Sequence, residues 1–228
     1  MDAAPEDKAD EELIVVACLL HDLGWATTPG FRSNDTRFEV DGATKARSFV
    51  QNHTSHTHDH GHGNSKSPAD FDRWLQEQHH GDSYWPKPRL QLLWDAIALH
   101  TTLSIAAYAH PTIAIIQAGI GADFTGPDTA GGVMTLAEYQ EITKAFPSEH
   151  FKDNLIGVMC GLCKDKRATV WDNFVGEFGR EYGLDGKGGG KEEFRKEWEE
   201  NRLVTRLVAG LEQLEEYEKG GSNVTEEA

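Results

Sequence analysis

The chain has 228 residues, with 22 Lys and Arg against 38 Asp and Glu, for a net charge of −16. That length suits one domain, or one domain with a tail, and can enclose a sizeable core. So acidic a balance argues against nucleic-acid binding or an anionic membrane surface recognised through general basic charge.

Residues 11–22 form the first predicted helix, built on the apolar run Leu13–Leu20 and entered from an acidic stretch that suits a positive helix N-terminus. The run is too short to span a bilayer and lacks a basic lead, so a soluble cytoplasmic protein is expected. His21 and Asp22 stand at the helix end, two metal-ligand side chains about 100° apart on adjacent positions. Gly24 fits the left-handed residue that commonly closes a helix. A carboxylate beside an apolar segment needs a partner: either a cation, or the neighbouring His in a hydrogen-bonded pair that caps the helix.

Residues 23–36 read as a loop, with Pro29-Gly30 and Ser33-Asn34-Asp35 as turn signals. A second helix is predicted over about 38–52, with Phe38, Ala43, Ala46 and Val50 apolar, and with Asp41 and Lys45 spaced as a surface ion pair. Residues 53–68 are rich in His, Ser and Gly and read as a flexible insertion. Its His53, His56, His58, His60 and His62 offer loose metal binding, because a closed site in a flexible loop must overcome backbone entropy.

A short helix near 69–80, a Pro-containing turn at Trp85–Pro88 and helices over about 89–101 and 111–123 follow, the last two joined by a loop around Leu103–His110. Thr135 with Glu138 forms a capping box before Leu136–Ala145. Helices are also expected over 148–163 and 170–183. Cys160 and Cys163 have no second pair to complete a zinc ribbon and read as two small buried residues on a helix face. The run Gly186–Gly190 is a linker or sharp turn, after which Phe194, Trp198, Leu203, Leu207, Leu211 and Leu214 trace one amphipathic stripe over 191–218. That stripe is expected to pack on the domain, with a homo-oligomer contact as the second reading. No segment reads as a strand. The fold class is all-α: a helical domain over 1–185, a linker at 186–190 and a C-terminal helix and tail at 191–228.

Four ordered segments, Ala17–Trp25, Arg37–Ala43, Trp94–Thr102 and Ala118–Phe124, resemble the HD-domain superfamily of metal-dependent hydrolases, and most of all its cyanamide hydratase-like branch. The resemblance implies an HD-domain helical bundle over about residues 11–182. It implies a divalent metal held by His21, Asp22 and Asp123, with His100 near the active site and Glu39 orienting His21 or bound water. Mixed nitrogen and oxygen ligation suits zinc first, with iron or manganese as alternatives. The chemistry implied is hydration of a small nitrile such as cyanamide, metal-bound hydroxide attacking the nitrile carbon to give urea. One departure stands out: the superfamily pattern has an earlier ligand His, and none of the 20 residues before His21 is His. Two other readings follow from the same motifs. One is an HD-type phosphohydrolase acting on a nucleotide or phosphoester, which needs Lys or Arg beside the metal, with Arg37, Lys45 and Arg47 the main candidates. The other is a catalytically inactive HD-like interaction module.

Overall fold

In the computed structural model the described residues are 9–28, 31–55, 85–128 and 134–221. Helix α1 (Glu11–Leu20) starts at Asp10, whose extended backbone lets its carboxylate accept the Leu13 N–H at 3.0 Å. The same carboxylate takes the Arg89 guanidinium at 2.6 and 2.8 Å. The Asp10 N–H donates to Thr112 Oγ1 at 3.1 Å. One capping residue therefore ties α1 to the starts of α3 (Lys87–Leu99) and α5 (Pro111–Thr125). Arg89 also reaches Glu12 at 2.8 Å and lies 3.9 Å over the Trp85 ring.

The chain divides into two compact units, Met1–Ser33 with Phe38–Pro147 and Asn34–Arg37 with Ser148–Ala228. In the first, α2 (Phe38–Ser55) packs along α3, and α1 along α5. The predicted apolar positions of α2 are buried: Phe38, and Ala43, Ala46 and Val50, which join a core that includes Leu13, Leu93, Ile97 and Ile116. A short helix α4 (Leu103–Ala106) occupies part of the expected loop before α5, and α6 (Leu136–Ala145) carries the predicted Thr135–Glu138 capping box. Residues 53–55 continue α2. The rest of the expected 53–68 insertion and the short helix near 69–80 lie outside the described residues.

The second unit contains α7 (Phe151–Asp165), α8 (Phe174–Tyr182), α9 (Lys191–Asn201) and α10 (Leu203–Gly221). Cys160 and Cys163 are buried where α7 meets α8, and their thiols reach the Phe178 and Val175 carbonyls at 3.8 and 3.1 Å. Burial pushes both thiols up, Cys163 to about 12, so they behave as small core residues. The Gly186–Gly190 run is a turn inside this unit: the Leu184 N–H bonds the Gly189 carbonyl, and the Gly188 N–H bonds the Tyr182 carbonyl, both at 2.8 Å.

The single helix expected over 191–218 is broken at Arg202, whose ψ of 150° leaves the helical region. The phase of the pattern explains the break. Phe194 and Trp198 point inward, Phe194 stacking on Trp171 at 5.5 Å and Arg180 lying 4.1 Å over Trp198. A continuous helix would next turn Asn201, Arg202 and Thr205 inward, all polar. The apolar series from Leu203 onward is offset, and a new helix starts there. Its Leu207, Leu211 and Leu214 are 58%, 61% and 54% exposed, so the stripe does not pack on the domain as expected. Among the described residues no segment is a strand, and no helix is long and apolar enough to cross a membrane.

The Arg89 guanidinium holds the Asp10 carboxyl below its usual value. A carboxyl lowered in the folded state contributes stability that is complete above its unfolded value, about 3.9, and is lost as pH falls through the folded value. Asp10→Ala should cost about 1–2 kcal/mol at pH 7 in urea unfolding, the partly exposed ion pair adding little beyond the cap. The gap from wild type should narrow below about pH 4. Asp10→Asn, which keeps a capping oxygen, should fall between the two.

Candidate metal centre

After Leu20 the chain tightens into a 3-10 turn, His21–Trp25, where a continuing α-helix was expected. Gly24 is also used differently from the expected left-handed cap: it has no positive φ and is buried against the first turn of α2. A Cβ at Gly24 would overlap the Phe38 carbonyl, and one at Gly42 would stand 3.1 Å from the Gly24 nitrogen and 3.2 Å from the His21 carbonyl. Two glycines on facing elements therefore bring the His21–Asp22 backbone onto α2 more closely than side chains would permit.

His100 caps the C-terminal end of α3 and reaches the same place. His21 Nδ1 lies 2.8 Å from the Cys18 carbonyl, and His100 Nδ1 lies 2.6 Å from the Ile97 carbonyl. A carbonyl only accepts, so each neutral ring donates from Nδ1 and keeps its lone pair on Nε2. Those Nε2 atoms flank Asp22, His21 at 2.9 Å from Oδ2 and His100 at 3.9 Å from Oδ1. The rings stand edge to face, 5.1 Å apart. One ligand atom from each of His21, Asp22 and His100 lies within 4.8 Å of the others, a grouping that could hold a metal ion. Asp22 Oδ1 is buried and makes no hydrogen bond. Three converging lone pairs, one on an orphaned carboxylate oxygen, fit a cation, and backbone carbonyls hold both imidazoles in the ligating tautomer.

Burial pushes the His100 imidazole below its ordinary value, which keeps it neutral. Burial also acts downward on His21, but its hydrogen bond to Asp22 and the charge there outweigh it and raise the imidazole. Asp123 is raised chiefly by burial, with His21 acting against the shift and Asp22 adding to it. It shares the field of the pair, yet His100, not Asp123, completes the group within 4.8 Å. Glu39 is 1% exposed and accepts the Thr101 hydroxyl at 2.6 Å, clamping the start of α2 to the end of α3 beside His100. Its charge acts on His100. The sequence offered no signal for Thr101, whose role appears only when α2 and α3 meet.

The expected Asp41–Lys45 surface pair is replaced by other contacts. Asp41 is buried and accepts the Ser33 N–H at 3.1 Å and the Ser33 hydroxyl at 2.9 Å, closing the loop that leads into α2. Lys45 lies 5.2 Å over the Phe31 ring. Arg47 donates to Gln91 Oε1 at 3.2 Å and lies 5.8 Å from the Trp94 ring. An aromatic chain leads away from the cluster, with Phe38 5.8 Å from His100 and Trp25 6.2 Å from Phe38. The Trp25 indole N–H is buried without a hydrogen bond.

An HD domain is found over residues 1–112, a span that includes His21, Asp22, Glu39 and His100 and ends before Asp123. No curated protein and no solved structure matches the chain. HD domains are all-helical and usually bind divalent metals, which agrees with the helical architecture and the His21–Asp22–His100 grouping, and such a domain suggests a metal-dependent hydrolase type of protein.

Gly24→Ala tests the packing that assembles the cluster. The added methyl should force the 3-10 turn off α2, lowering stability by about 1–3 kcal/mol in thermal or urea unfolding. It should also weaken zinc binding to the folded protein, measured by calorimetry. Normal stability and normal zinc affinity would count against this role for Gly24.

Proposed function

We propose that this protein is a metal-dependent HD-type enzyme that adds water to a small uncharged substrate such as cyanamide. His21, Asp22 and His100 would hold the divalent cation, zinc being the best match to two imidazoles and a carboxylate. When bound, the cation supplies an acidified water and polarises the substrate atom under attack. The protein's own groups do the rest. The Cys18 and Ile97 carbonyls fix the tautomers of His21 and His100. The Glu39–Thr101 bond keeps His100 in place. Asp123, raised by burial, takes up and returns a proton beside His21 and Asp22.

The observation that carries this reading is the sign of the charges around the cluster. The charges that chiefly act on His21, His100 and Asp123 are those of Asp22, Asp123, Glu39 and His21, with no Lys or Arg among them. Lys45 and Arg47 are engaged with Phe31, Gln91 and Trp94. With the cation bound, the positive charge offered to a phosphoester would come from the metal, with no Lys or Arg among these groups to clamp the phosphate beside it, whereas a neutral nitrile needs no such clamp.

Metal analysis by mass spectrometry on purified protein, combined with a urea assay on cyanamide, tests the proposal. About one metal per chain is expected, lost in His21→Ala, Asp22→Ala and His100→Ala together with urea formation. Asp123→Asn separates two roles: loss of metal makes it a further ligand, while retained metal with turnover reduced about 10²-fold or more makes it the proton carrier. Metal that stays in the triple variant, or leaves only when residues 53–62 are deleted, contradicts the site. A full metal complement with hydrolysis of phosphoesters and no urea contradicts the substrate class.

A further inference from the structure

We infer that the second unit binds a small zwitterion of the α-amino acid class, in a cavity of about 220 Å³ at the break between α9 and α10. Three stretches distant in sequence meet there: Asp35 and Arg37 ahead of α2, Trp171 and Asp172 between α7 and α8, and Asn201 and Arg206 on either side of the break. At about 30 Å³ per water molecule, the cavity has room for about seven non-hydrogen atoms of a polar solute. Drug-sized ligands need roughly 300–1,000 Å³, so the occupant is closer in size to serine than to a nucleotide.

The charges select its class. The lining carries two guanidiniums, of Arg37 and Arg206, and two carboxylates, of Asp35 and Asp172. A simple anion would meet both carboxylates, and a simple cation both guanidiniums. A molecule with one charge of each sign matches both pairs. Among the described residues the Arg206 guanidinium and the Asp35 carboxylate form no ion pair or hydrogen bond, so both are available to a ligand. Asp172 is held by the Asn173 amide, which donates to its Oδ1 at 3.0 Å and to the Thr169 carbonyl at 2.7 Å. The Asn173 oxygen in turn caps α8 by accepting the Val175 N–H at 3.1 Å. Asp172 Oδ2 is left to accept from an ammonium group. Asn201 donates its amide to the Glu197 carbonyl at 2.9 Å, which leaves its Oδ1 as a further acceptor. Trp171, 9% exposed and 5.5 Å from the Phe194 ring, gives the cavity a rigid apolar wall.

Calorimetric titration of the full chain with L-serine, L-alanine and glycine should show saturable binding. Acetate and methylammonium, each carrying one of the two charges, should bind about 10-fold or more weakly than L-serine. Arg206→Gln and Asp172→Asn, both at exposed positions, should each weaken L-serine binding about 10-fold or more at unchanged melting temperature. His21→Ala should leave L-serine binding unchanged, which separates this site from chelation of a metal by the amino acid. No binding of any of the three amino acids overturns the inference. L-serine binding that survives both cavity substitutions, or that His21→Ala abolishes, overturns it as well. Acetate or inorganic phosphate binding as tightly as L-serine overturns the zwitterion and makes the cavity a plain anion site.

Discussion

The close approach of the His21–Trp25 turn to the first turns of α2 is the constraint on which the rest of the site depends. Gly24 and Gly42 leave no side chain between the two backbones, and a Cβ at Gly24 would collide with the Phe38 carbonyl. Because the turn lies so close, His21 and Asp22 face the end of α3, where His100 is held by its bond to Ile97. The site is thus a consequence of backbone packing between three elements. Core packing of α2 against α3, and the Asp10 cap that links α1 to α3 and α5, hold that geometry.

Electrostatics then give each group its character. Burial pushes His100 below its ordinary value, which favours the neutral imidazole that a metal ligand requires. His21 sits against Asp22, whose hydrogen bond and charge outweigh burial and raise the imidazole. Asp123 is raised by burial and by the neighbouring Asp22 carboxylate, with His21 acting against the shift. Together these give a grouping of His21, Asp22 and His100 that could hold a cation.

Much of the fold was legible in the residues, because periodicity reports which face is buried. Phe38, Ala43, Ala46 and Val50 were read as apolar positions of α2 and are buried there, and the Thr135–Glu138 capping box is present as written. The His21–Asp22 pair was legible from its place at the end of an apolar run. The resemblance puts His100 near the site, but its place beside His21 and Asp22 in a group that could hold a metal is not legible locally, since those partners lie 79 and 78 positions earlier in the chain and no local pattern spans that distance. The break at Arg202 was missed because the stripe was read without its phase: Phe194 and Trp198 belong to one face, and Leu203 onward to another. Gly24 was assigned a left-handed turn when its lack of a side chain mattered for contact, a distinction that only the position of α2 reveals.

The most direct test of the account is crystallography of the zinc-loaded protein with anomalous scattering at the zinc edge. The expected result is a single peak about 2.0–2.2 Å from His21 Nε2, His100 Nε2 and an Asp22 oxygen, the distances of nitrogen and carboxylate ligation. A peak elsewhere, such as among the histidines between 53 and 62, with His21, Asp22 and His100 in their present hydrogen bonds, would contradict it.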